Sequence, residues 1–168
     1  MMVYTLRQEQ IIGREIKEVF SFFERPENLC KITPPKMKFD ILTPQPLEMR
    51  TGAVFDYVVN IMGVNQHWRT LIERYNPPHS FIDIQLNGPY RLWHHTHEFE
   101  EHAEGTLIRD TIRYVLPFGF IGRIVHPLIV RPQLERIFSF RRKAIDIIFP
   151  AETMIQNSAN DSISPLHG

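Results

Sequence analysis

The chain has 168 residues, 43% of them hydrophobic, with 19 acidic residues against 19 Lys or Arg and a single cysteine. That length suits one domain with a substantial core and is short for two, and the balanced charge argues against nucleic acid or an anionic membrane as partner. One cysteine, Cys30, excludes an intramolecular disulfide and a thiolate metal cluster, and reads as a small apolar residue near a helix. The N-terminal run lacks the layout of a secretion signal, and no apolar stretch approaches the ~20 residues of a membrane span. A cytoplasmic protein without stable membrane insertion is therefore expected.

Residues 3–12 alternate as an opening strand, which Gly13 breaks. Over 15–23, Ile16, Val19, Phe20 and Phe23 form the apolar stripe of a short helix. Residues 26–31 form a second short helical turn with Pro26 at its start, where a missing N–H costs little, and Pro34-Pro35 closes it. Strands follow at 39–43, 54–62, 67–75 and 81–86, punctuated by proline, glycine and asparagine turns. Two long strands come next. Residues 91–99 alternate Arg91, Trp93, His95, His97 and Phe99, and residues 106–114 alternate Thr106, Ile108, Asp110, Ile112 and Tyr114. Between them, 100–105 is polar and ends in glycine, as a hairpin loop should.

After Pro117 the period becomes helical. Segment 118–130 is strongly apolar and is expected to be a helical entry with a bend near Pro127, and Gly119 and Gly122 read as a loop between strand and helix. Residues 132–149 carry Leu134, Ile137, Phe138, Arg141, Ile145 and Ile148 on one stripe, an amphipathic helix of about five turns. Residues 151–168, rich in Ser, Asn and Asp, read as a disordered tail beyond a single domain at 1–150. The fold class is thus α+β: about seven strands in a curved antiparallel sheet wrapped around a long C-terminal helix, with two short helices between strands 1 and 2.

Several local sequences carry a resemblance. Glu27, Asn28, Leu29, Ile32, Thr33, Pro34 and Pro35 form one run, and Trp68-Arg69-Thr70 and Gly88-Pro89-Tyr90 two more. Trp93/His95/His97/Phe99, Gly105-Thr106 with Asp110 and Tyr114, and Leu134-Glu135 with Ile137-Phe138 complete the set, and the resemblance they carry extends over residues 1–149. In order and local sequence the chain resembles the START-like (SRPBCC) superfamily of helix-grip proteins, nearest its bacterial ligand-binding and polyketide cyclase-like groups. The resemblance implies an apolar cavity between sheet and helix that holds a lipid or polyketide-like molecule, with no cofactor.

Trp68, Trp93, Phe99, Ile112, Phe118 and Phe138 are the expected walls of such a site. If His95, His97, Asp110 and Tyr114 converge inside it, imidazole and carboxylate supply a general base and its orienter, and the phenol a hydrogen bond to a ligand oxygen. That set would serve a metal-free cyclase or dehydratase. Otherwise the histidines face outward or form a satisfied buried network. His94, His95, His97 and His102 also raise a metal reading, but no third ligand is marked by a motif, and none is expected. Asp83 and Gln85 read as solvent-facing, and Arg69 and Arg91 as surface charges. The principal expectation is binding of a hydrophobic small molecule. A cyclase-like enzyme is the alternative, and an interaction module docking a partner through 118–130 a third; the oligomeric state is open.

Overall fold

A computed structural model describes residues 2–117 and 119–150. The tail expected at 151–168, and the side chain of Phe118, lie outside the described residues. The elements are β1 (Tyr4–Ile12), α1 (Ile16–Phe23), 3-10 turns at Pro26–Ile32 and Pro35–Met37, and β2 (Asp40–Ile41). Then come β3 (Val54–Ile61), β4 (Val64–Asn76), β5 (Ser80–Asn87), β6 (Leu92–His102) and β7 (Gly105–Val115). The chain closes with α2 (Gly119–Val125), a wide turn at His126–Val130, and α3 (Arg131–Ile148).

All seven strands form one antiparallel sheet in the order β1-β7-β6-β5-β4-β3-β2. Each hairpin follows its neighbour in sequence, and the opening strand pairs with the last. The thirteen-residue β4 carries register shifts after Arg69 and after Ile72, and such bulges bend a strand and increase its twist. The sheet therefore curls. On its concave face stand Phe55, Tyr57 and Val59 of β3, Ile72 of β4, Phe81 of β5, Phe99 of β6, and Ile108, Ile112 and Tyr114 of β7, all buried.

The β3–β4 turn is two residues, Met62 and Gly63, with φ of 53° and 88°. Positive φ at both positions is what a tight hairpin matching the strand twist requires. The β6–β7 loop is shorter than the expected 100–105. Both strands run on to pair His102 with Gly105, so only residues 103 and 104 turn. Parity is unchanged by this, and the expected inward set stays inward.

Helix α1 buries Ile16, Val19, Phe20 and Phe23 against Phe81, Phe99 and Ile108 of the sheet. At about 1.5–3 kcal/mol for each fully buried apolar side chain, this packing is ample to hold an eight-residue helix that would not persist alone. Helix α3 lays Leu134, Phe138, Arg141 and Ile145 on the concave face. Its far end is tied to β1 and to the residues just after it: Gln10 donates to Asp146 at 2.7 Å, and Arg14 donates to the Pro150 carbonyl at 3.0 Å.

The entry to α3 departs from expectation. The expected helical entry segment is present as α2, but Gly119 and Gly122 lie within it and not in a loop, and helix continues through 119–148 past Pro127. The reason is a widened turn. Arg131 N–H donates to the His126 carbonyl five residues back, so the prolines at 127 and 132 are absorbed without the usual four-residue bond. This segment leaves Phe120, Ile121, Ile124 and Leu128 exposed.

His126, on that turn, is buried between strands and helix. Its ring stacks on Tyr4 at 3.5 Å, and the Tyr114 hydroxyl is hydrogen-bonded to Nε2 at 2.8 Å, donating when that nitrogen carries no proton. Burial, with help from the Arg131 charge, lowers its proton affinity below that of an ordinary histidine. The unfolded chain takes up that proton near pH 6.5 while the folded chain resists, so this residue makes stability fall as pH drops below about 6.5. In urea unfolding, His126→Gln should lose less stability than wild type between pH 7 and 5. Equal losses for the two proteins would refute the assignment.

Candidate functional site

Between the concave face and α3 lies a cavity of about 180 Å³. Its walls are apolar, from Phe55, Tyr57 and Val59 of β3, Trp68 and Ile72 of β4, and Leu134 and Phe138 of α3. Trp68 and Trp93 meet edge to face at 5.3 Å, an arrangement that fixes both rings. At one pole the lining becomes polar: Asp83 from β5, His95 and His97 from β6, and Arg141 from α3.

Register builds this pole. Asp83 is opposite His95 across β5–β6, and His97 is opposite Asp110 across β6–β7, so four side chains of three adjacent strands share one face. Each imidazole touches both carboxylates. His95 lies 3.0 Å through Nε2 from Asp110 Oδ1 and 3.5 Å through Nδ1 from Asp83 Oδ2. His97 lies 3.0 Å through Nε2 from Asp83 Oδ2 and 2.7 Å through Nδ1 from Asp110 Oδ1, the last approach being oblique to the ring and so a charge contact more than an aligned hydrogen bond. Asp83, His95 and His97 each turn an atom of ligating type inward, all within 4.8 Å of one another. Asp110 stands behind the two rings, away from the cavity.

Electrostatics distributes the protons unequally. Four N–H donors on two rings would need two imidazolium ions with centroids 3.7 Å apart, and like charges that close disfavour each other. Burial, and then the neighbouring His97, pull His95 below the ordinary histidine range. Burial also opposes the charge on His97, but Asp110 and Asp83 outweigh it and raise its proton affinity. Burial alone would raise both carboxyls; the histidines reverse this and hold Asp83 low and Asp110 well below the usual carboxylate range. His97⁺ and Arg141⁺ thus balance two carboxylates around a neutral His95.

Arg141 is buried, its guanidinium 4.8 Å from the centre of the Phe138 ring and its Nε without a protein partner. A cation held over an aromatic face at a cavity wall is suited to an oxygen atom of a ligand.

Of the expected site residues, Trp68, Trp93, His95, His97 and Phe138 line the cavity, and Asp110 supports the histidines from behind. Three others stand elsewhere. Phe99 packs on Phe20 and Phe23 at 5.2 and 5.4 Å, because α1 covers that level of the sheet. Ile112, fully buried, is part of the cluster with Leu134 and Phe138. Tyr114 faces inward, but its hydroxyl is taken by His126, and burial pushes it up to about 12. His94 faces away, 3.4 Å from Glu73, and His102 caps the 103–104 turn.

Asp83, expected toward solvent, points inward, and Arg141 was not among the expected site residues. Both had a signal in the sequence. Asp83 alternates with the apolar Phe81, and Arg141 interrupts the apolar stripe of α3. Arg69 is at the surface as expected, bonded to Asp56 at 2.8 Å. Cys30 is exposed on its 3-10 turn.

No protein-family model matches this chain, and no curated protein does. Solved structures do. Ginseng major latex-like protein 151 from Panax ginseng superposes with a TM-score of 0.66 over 89% of this chain and 99% of its own, at 13% identity. A protein from Chromobacterium violaceum gives 0.66 over 86% and 96% at 13% identity, and Ara h 8.0201 gives 0.60 over 86% and 98% at 14% identity. The likeness at such identities is one of architecture: the chain has the helix-grip fold. Among the described residues, no helix is long and apolar enough to cross a membrane.

Proposed function

We propose that the protein binds a compact hydrophobic molecule in the cavity, with a polar oxygen of that molecule turned toward Arg141 and the histidine pole. The observation that carries this reading is the lining itself, apolar on most sides and polar at one end, the usual composition of a small-molecule site. Size narrows the class. An engineered cavity of about 150 Å³ takes benzene, so about 180 Å³ suits a body of one or two rings or a short acyl chain, and a sterol would require the walls to part. Cyclase-like chemistry is the less favoured reading, because the phenol it would use, Tyr114, is engaged by His126.

Native mass spectrometry of the purified protein, before and after denaturing extraction, tests the proposal. A one-to-one adduct is expected, and Val59→Trp, which fills the cavity at an overpacking cost of about 1–3 kcal/mol, should abolish it. The proposal fails if the protein is empty and toluene and indole give no saturable chemical-shift change. The same spectrum reports a dimer if the exposed side chains of 120–128 meet a second copy.

A further inference from the structure

We infer that Asp83, His95 and His97 form a binding site for a divalent first-row transition-metal ion of the zinc(II) or iron(II) type, with Asp110 holding both imidazoles from behind. The orientation of the rings points to it. Each ring gives one nitrogen to Asp110 and the other to the Asp83 side: His95 offers Nε2 and Nδ1, and His97 offers Nδ1 and Nε2, respectively. Histidines that ligate metals are held in this way, the far N–H donated to a carboxylate that sets the tautomer and strengthens the ligating lone pair. Here Asp110 accepts from His95 Nε2–H at 3.0 Å and lies against His97 Nδ1 as a charge contact, so it orients the first ring by a hydrogen bond and the second by attraction.

Distances on the Asp83 side fit an ion. Bonds of about 2.0–2.1 Å at tetrahedral angles place ligand atoms about 3.3 Å apart. Asp83 Oδ2 is 3.0 Å from His97 Nε2 and 3.5 Å from His95 Nδ1. Two nitrogens and one oxygen leave the next coordination position open, and all three ligands line the cavity, so that position faces the space where a small molecule would lie. Two imidazoles and a carboxylate with an open position is the donor set of catalytic zinc and of non-haem iron sites. Asp83 is the third ligand that no sequence motif marks, brought in by strand pairing.

The inference does not depend on which organic ligand the cavity takes. Chelator-treated full-length protein, free of any histidine tag, is titrated with Zn(II) by calorimetry and with Co(II) by visible absorption. One equivalent of either ion should bind, with a rise in melting temperature and the absorption of low-coordinate Co(II). Asp83→Ala and His97→Gln should abolish binding, and Asp110→Asn should weaken it about 10- to 100-fold. His94→Gln, on the opposite face, should leave it unchanged. Should the cavity variants not fold, the wild-type protein still decides: Zn(II) must perturb the ring nitrogen resonances of His95 and His97 in its NMR spectrum. Absence of stoichiometric binding, binding that survives Asp83→Ala, or unperturbed His95 and His97 resonances would overturn the assignment.

Discussion

Asp110→Ala is expected to cost about 3–5 kcal/mol of folding stability in metal-free protein at neutral pH, the penalty for breaking a buried charge pair on one side. Asp110 is buried and contacts both His95 and His97. Its removal leaves His97 buried beside a single carboxylate, and His97 answers by releasing its proton, which holds the loss to that range and no higher. The histidine resonances should record this directly: His97, raised in the wild type chiefly because the Asp110 and Asp83 charges overcome burial, should titrate at lower pH in the variant. If chemical denaturation shows a loss below about 1 kcal/mol and His97 titrates as before, the four residues are not an interacting network.

The second large effect is expected at Gly105. It has φ of 125°, and a β-carbon there would run into the Ile12 carbonyl oxygen and lie 2.8 Å from the Arg14 nitrogen. Both obstacles are backbone and cannot rotate away. They belong to the point where β1 ends and the chain turns into α1, where the buried Thr106 hydroxyl also donates to the Arg14 carbonyl at 2.7 Å. Gly105→Ala should therefore loosen the β1–β7 pairing and the seat of α1 together. A loss of about 3 kcal/mol or more is expected, which for a chain of this size lowers the melting temperature by roughly 6–12 °C. A drop of under about 2 °C would mean the hairpin relaxes freely, contrary to this geometry.

The two variants probe different levels of one hairpin. Asp110→Ala tests the polar pole with the fold intact, and Gly105→Ala tests the turn that sets register. Because β6 and β7 pair with residue numbers summing to a constant from His102–Gly105 to Leu92–Val115, the turn alone dictates that His97 meets Asp110. A slip of one residue would put either the histidines or the aspartate outside.

Much of this could be read from the residues before any fold was known. Alternation in 93–99 and 106–114 put Trp93, His95, His97 and Phe99 on one face and Asp110, Ile112 and Tyr114 on another, since side chains along a strand alternate whatever the strand pairs with. The α3 stripe and the order of strands and helices were legible for the same reason: each is a local, periodic property. Alternation tells which side a residue faces, but not what fills the space in front of it. Phe99 and His97 share a face, yet α1 covers the first, and the second borders the cavity. Tyr114 was turned inward as its period demands, and then lost to His126 on a helical turn that skirts two prolines. Alternation with Phe81 marks the inward side for Asp83, but the β5–β6 register supplies its partner His95, and the lie of α3 across the sheet brings Arg141 to the same cavity. Local periodicity assigns residues to faces; which positions on those faces are core and which are site follows from packing, because that depends on contacts between segments far apart in the chain.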